Sequence, residues 1–227
     1  MKKNVPERKE IIQAEYRKLM LAAAEKVIIR RGYGAATMDE IAREAEFSKA
    51  TIYKYFNNKA ELLLAIILQY VEEIRAKMAE IQQSALQPDL KLKKIIESIL
   101  KIQSEKENIS RLFILDKSLH DFLHRFFIAT RKEDNRQFQQ ILKLFKSKRE
   151  EINRLGCLVI KEGIEQGKFV KCAPETIIKY VGATVEGLLH ARYWESHQFL
   201  PEEETEEIFK FIMEGIGRQS LQKGEHK

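Results

Sequence analysis

Four prolines and ten glycines are all that 227 residues offer to stop a helix. Proline lacks the backbone N–H, and glycine loses the most entropy when held in a helix. A chain this poor in both, and rich in Leu, Ile, Lys and Glu, is built to stay helical. Apolar residues recur at three- and four-residue spacing, and no stretch alternates with the two-residue period of a strand. The fold class that follows is all-α, with about nine helices. Hydrophobic residues at 44% and charged ones at 33% supply both a core and a solvated surface.

The first helix is predicted over 6–32, with Asn4 as its cap, Ile12, Tyr16, Leu19, Ala23 and Val27 on one face, and Gly32 as its stop. Two short helices follow. Thr37-Met38-Asp39-Glu40 has the form of a capping box, in which the Thr hydroxyl caps a backbone N–H and the Glu side chain reaches back. It starts a helix over 38–45. After a break at Glu46–Phe47, Ser48 caps a helix ending at Phe56. A weaker cap, Asn58 with Glu61, starts a long helix running to about Gln83. Beyond the turn at Pro88-Asp89, helices are predicted at 90–106, 109–130, 134–166, 174–195 and 202–221.

Two short helices joined by a three- or four-residue turn form a helix-turn-helix. Ile41, Ala45, Phe47 and Ile52 would fill its small core, and Ala42 would let the two axes approach. The outward face of the second helix then carries Lys49, Ala50, Thr51, Tyr53, Lys54 and Tyr55. Lysines and tyrosines side by side suit neither a core nor an ordinary solvated face. They suit a polyanion: the major groove of DNA admits one helix, Lys can donate to guanine O6 and N7, and Thr or Ala can meet a thymine methyl. Tyr hydroxyls and Lys ammoniums can bind phosphate oxygens. Charge agrees, since residues 1–62 carry 13 basic and 9 acidic side chains, +4 of the net +6.

The stretch TMDEIAREAEFSKATIYKYFNNKAELL resembles the DNA-binding segment of the tetracycline-repressor (TetR) family, in order, spacing and position after one helix. The segment IKEGIEQGKFVKCAPETIIKYVGATVEGLL, 160–189, also resembles the family's C-terminal helices. The resemblance implies an N-terminal helix-turn-helix DNA-binding domain over 1–60 and a helical ligand-binding and dimerisation domain over 61–227. It implies base-edge roles for Lys49, Ala50, Thr51 and Lys54, and phosphate roles for Thr37, Tyr53, Tyr55 and Lys59. A phosphate role for Lys59 predicts that its loss weakens all DNA sequences alike and flattens the salt slope by about one unit. Two positions depart from the family pattern: Glu46 and Ala50 stand where glycine is common.

The expected partners are double-stranded DNA, a second copy of the chain and a small-molecule effector. The dimer face is expected on the last two helices, at Gly182, Val185, Glu186, Leu189, Tyr193, Ile208, Ile212 and Ile216, unless those stripes pack within one chain. The family places a small-molecule site among the central helices. Aromatics crowd 109–146, with Phe113, Phe122, Phe126, Phe127, Phe138 and Phe145. The effector pocket is therefore expected at Phe113, Phe127 and Phe145, with Tyr70, His120, His124 and Tyr193 as polar contacts, and an apolar or aromatic effector as occupant. The function that follows is a ligand-responsive transcriptional regulator, most simply a repressor released by its effector. The competing reading is an architectural or division-site DNA-binding protein with no small ligand.

Asp116, His120 and His124 share one helix face and form a weak candidate metal set. HDFLH imitates the zinc-protease helix with a carboxylate one methylene too short and no third ligand at a recognisable spacing. No catalytic constellation points to an enzyme, and no cofactor is expected. Cys157 and Cys172 match neither a disulfide scaffold nor a zinc module, and read as reduced thiols. The charged start lacks an apolar leader, and the run LLLAIIL is too short for a bilayer, so the expected location is the cytoplasm with no membrane partner.

Overall fold

The structure, a computed structural model, describes residues 8–107, 116–124, 136–191 and 200–216. Its helices are α1 (Arg8–Ala35), α2 (Met38–Glu44), α3 (Lys49–Tyr55), α4 (Lys59–Gln83), α5 (Pro88–Glu105), α6 (Lys117–His124), α7 (Arg136–Glu165), α8 (Pro174–Ala191) and α9 (Pro201–Ile216). The fold is all-α. Pro88, Pro174 and Pro201 each open a helix, where a missing N–H costs nothing. Among the described residues no helix is long and apolar enough to cross a membrane.

The chain divides into two compact units, residues 1–70 with 107–145, and residues 71–106 with 146–227. In the first unit, α1 packs on α2, α2 on α3, and α1 on α6. The buried face of α1 begins at Met20 and continues through Ala24, Val27 and Ile28, all at 0% exposure. The predicted face at Ile12, Tyr16 and Leu19 is instead 39–47% exposed. Gly32, at φ 76° and ψ 157°, takes the backbone out of helical geometry at the predicted stop, in a region only glycine visits freely.

Asp116, inside the helix predicted over 109–130, is non-helical, and 109–115 and 125–130 of that prediction lie outside the described residues. Its carboxylate accepts from the Leu119 amide at 3.1 Å and the Ser118 hydroxyl at 2.6 Å, and so caps α6.

The second unit is held by Met78 and Ile81 of α4, Leu92, Ile95, Ile96 and Leu100 of α5, Leu155, Val159 and Ile160 of α7, and apolar residues of α8 and α9. Each such side chain contributes about 1.5–3 kcal/mol by leaving water. Phe169, 1% exposed, lies against Gly163, where an added Cβ would sit 2.2 Å from the ring. Lys91 is buried, with its ammonium 2.8 Å from Glu162.

This core takes four residues expected at the dimer face. Val185, Leu189, Ile208 and Ile212 are 3–7% exposed and point into the unit's own interior. An amphipathic helix has one apolar stripe, and here the monomer uses it. Gly182 and Glu186 do face outward. Tyr193 and the side chain of Ile216 lie outside the described residues.

Candidate nucleic-acid interface

Local hydrogen bonds set the ends of the two short helices of the helix-turn-helix. Thr37 Oγ1 accepts from the Glu40 amide at 3.2 Å, and Glu40 Oε2 accepts from the Thr37 amide at 3.1 Å, the capping box predicted for α2. At the far end, the Phe47 amide donates to the Ala42 carbonyl at 3.0 Å and the Glu46 amide to the Arg43 carbonyl at 3.2 Å. These two bonds are the Schellman pair that ends a helix on a left-handed residue. That residue is Glu46, at φ 59°, where glycine would sit without strain. Ser48 then caps α3, accepting from the Thr51 amide at 3.1 Å.

The turn sets the angle between α2 and α3, and the small core locks it. Ile41 and Ile52 are fully buried, Phe56 is 1% exposed and Ala42 4%. Phe47, half-buried, packs on Tyr16 of α1 with ring centroids 5.0 Å apart. At the other end of α3, the Arg17 guanidinium lies 4.3 Å over the Phe56 ring. Burial lowers the pKa of Arg17, against the pull of Glu61. Glu61 caps the Asn57–Asn58 corner: its Oε2 accepts from the Asn57 amide at 2.8 Å, and its own amide donates to Asn58 Oδ1 at 2.9 Å.

Lys49, Ala50, Tyr53 and Lys54 are exposed on α3, while Thr51 and Tyr55 are half-buried. The Thr51 hydroxyl lies 2.8 Å from that of Ser48. Thr37 is exposed, but its hydroxyl also donates to Glu40 Oε2 at 3.0 Å. Lys49 is ion-paired: its ammonium lies 2.7 Å from Asp39 Oδ1, and this hydrogen bond raises its pKa.

Lys59 has a different occupation from the phosphate contact expected of it. Its ammonium donates to the carbonyls of Tyr33 at 2.5 Å, Ala36 at 2.8 Å and Gly34 at 3.0 Å, and lies 4.6 Å from the Tyr33 ring centroid. A lysine has three N–H donors, and three carbonyls take them. Burial lowers its pKa, partly offset by Asp116. Lys59 therefore ties the start of α4 to the loop after Gly32.

Asp116 belongs to the same corner. Its Oδ2 accepts from the Tyr33 amide at 2.7 Å, and the Phe122 ring of α6 lies 5.3 Å from that of Tyr33. Burial raises its pKa, but bonds from Ser118 and from the Tyr33 and Leu119 amides outweigh it, and the net direction is down. The carboxylate considered as a metal ligand is thus spent on capping α6 and bracing α1. Among the described residues no three His, Cys, Asp or Glu side chains are placed to hold a metal, and the His120 side chain lies outside them.

Tyr70 and Phe145 are half-buried and His124 is exposed, while Phe113 and Phe127 lie outside the description. A groove of about 470 Å³ lies between α4 and α5, but Lys and Glu side chains line it, and none of the expected effector residues does.

Sequence reasoning missed Arg17, Asp39 and Asp116 as parts of the reader's frame. Asp39 was legible only as part of a capping box. Its bond to Lys49 crosses the turn, where no helical spacing rule applies.

Residues 20–66 match the model of bacterial regulatory proteins, tetR family. The chain is 28% identical over 159 residues to the HTH-type transcriptional regulator YhgD of Bacillus subtilis (strain 168), covering 70% of this chain and 74% of that protein. Its fold is similar to the fatty acid degradation regulator FadR of Bacillus halodurans, with TM-score 0.69 at 18% identity over 94% of this chain and 98% of that one. It is also similar to the regulator FadR of Bacillus subtilis in complex with stearoyl-CoA, with TM-score 0.68 at 17% identity over 88% and 98%.

Proposed function

We propose that this chain, which belongs to the tetR family of bacterial regulatory proteins, is a homodimeric repressor that leaves its operator when an apolar effector binds. Its relatives are transcriptional regulators rather than enzymes. The observation that carries the reading is the reader itself. A seven-residue helix, capped by Ser48 and set by a Schellman turn, presents Lys49, Ala50, Tyr53 and Lys54 outward while Ile52 and Phe56 anchor it. Such a helix enters the major groove near its N-terminus, where Lys49, Ala50 and Thr51 are the base-edge candidates. Lys54 is a further base-edge candidate, and Tyr53 and Tyr55 can brace the sugar-phosphate edge.

One short reader spans too few base pairs for specificity, which favours a dimer on a palindrome. The outer faces of α8 and α9 support this reading. Tyr180 is 63% exposed and Phe211 67%, and a Cβ added at Gly182, Gly187 or Gly215 would meet nothing within 4 Å. Large apolar rings beside bare glycine backbone suit close packing against a second copy. The effector class is supported by the aromatic-rich central segment and by the stearoyl-CoA held by one structural relative.

The test is selection of bound duplexes from a random DNA library at stated salt, repeated with long-chain acyl-CoA present. The expected result is a palindrome with half-sites about one helical turn apart, lost when the effector is added. Tight binding without sequence preference, unmoved by any apolar ligand, would instead support the architectural reading.

A further inference from the structure

The acidic residues of α2 do not all do the same thing. Glu40 pairs with Arg31 at 3.3 Å and Glu44 with Arg30 at 3.2 Å, so both turn back onto α1. Asp39 turns the other way. Its carboxylate meets the Lys49 ammonium at 2.7 Å through Oδ1 and 3.0 Å through Oδ2, across the turn to the first residue of the reading helix. The two side chains are 59% and 60% exposed. An ion pair this exposed does little for folding. It does decide where the charge of Lys49 is aimed.

A lysine at the tip of a reading helix has two kinds of partner on DNA. Phosphate oxygens are available at every step of every sequence, while guanine O6 and N7 are available only at the right base. A free ammonium on a four-carbon stem takes whichever phosphate it reaches first. Held by Asp39, the same ammonium is locally neutralised and restricted in its rotamers, yet it keeps an N–H for a base-edge acceptor.

We infer that Asp39 is a specificity-determining positioning residue: it withholds Lys49 from non-specific phosphate contacts and holds it for a base edge. The inference rests on the reading of α3 as a major-groove helix.

The test compares wild type with Asp39→Asn, Lys49→Met and the double variant, each binding the selected palindrome and a scrambled duplex of equal length across a salt series. Asn keeps the shape of the side chain and removes its charge. Asp39→Asn is expected to tighten binding to the scrambled duplex about tenfold and steepen its salt slope by about 0.9 per protomer engaged. Binding to the palindrome should change less, so discrimination falls. In the Lys49→Met background, Asp39→Asn should change neither slope nor discrimination, which separates action through Lys49 from plain repulsion of phosphates. Equal effects of Asp39→Asn in both backgrounds, or no effect on the ratio, would overturn the inference while leaving the DNA-reading function intact. A wild type that binds neither duplex at low salt would overturn both.

Discussion

Two side chains near the reader separate local chemistry from tertiary demand. Glu46 sits at φ 59° in the turn that ends α2, at roughly 1 kcal/mol against a glycine in the same place. Replacing Glu46 by Gly relieves that strain but loosens the unfolded chain, so the expected gain is at most about 1 kcal/mol in urea-midpoint stability. A loss in stability would mean that the unfolded-chain entropy, or a contact of the Glu46 side chain, outweighs the strain. Lys59 makes the opposite case. With its three N–H groups on the carbonyls of Tyr33, Gly34 and Ala36, Lys59→Met leaves those carbonyls without their donor, and the expected loss is about 2 kcal/mol. DNA binding should fall alike on all sequences with the salt slope unchanged. A slope flattened by about one unit would restore the phosphate role expected from the sequence.

Among the helices, α8 and α9 show that spacing finds an apolar stripe without naming what covers it. The stripes at 185, 189, 208 and 212 were legible from spacing, since spacing reports only that a helix has an apolar face. Which surface meets that face depends on the rest of the fold, and here it is the unit's own core. The outward rings were less legible because Tyr180 and Phe211 fall outside those stripes. The variant Tyr180→Glu with Phe211→Lys should give monomers by light scattering with unchanged helical circular dichroism. Val185→Asp should instead lower the thermal midpoint sharply, because it buries a charge without a partner. Dimers that survive the double variant would move the interface elsewhere.

Across the second unit, acid response offers a test of how its helices are tied. Glu72 is held at about pKa 2, below the ordinary 4.5, by hydrogen bonds from Arg75 of α4 and Lys148 of α7. A carboxyl whose pKa is lowered on folding contributes stability above its unfolded pKa and loses it as pH falls through the folded one. The advantage of wild type over Glu72→Gln should therefore be constant from neutral pH to about 5, fall progressively below that, and be lost only below about pH 2. Because the pair is partly exposed, the difference is expected to be small and to shrink in high salt. An advantage undiminished at pH 2 would show that Glu72 acts through packing instead of charge.

The amino-acid sequence alone determined the helical class, most helix starts and the reading helix. These rest on interactions between residues three or four apart: the Thr37–Glu40 box, the Ser48 cap, and apolar spacing such as Ile52 with Phe56. Tertiary structure decided the rest. The Tyr33 amide and Asp116 carboxylate are 83 residues apart in the chain, and Lys59 reaches carbonyls 23 to 26 residues back. Such bonds follow no period, so neither the capping role of Asp116 nor the internal role of Lys59 could be read from spacing. The same ammonium can donate to a phosphate or to a backbone carbonyl, and the same carboxylate can ligate a metal or accept from a backbone amide. Only the fold, by bringing one of these within 3 Å, selects among them.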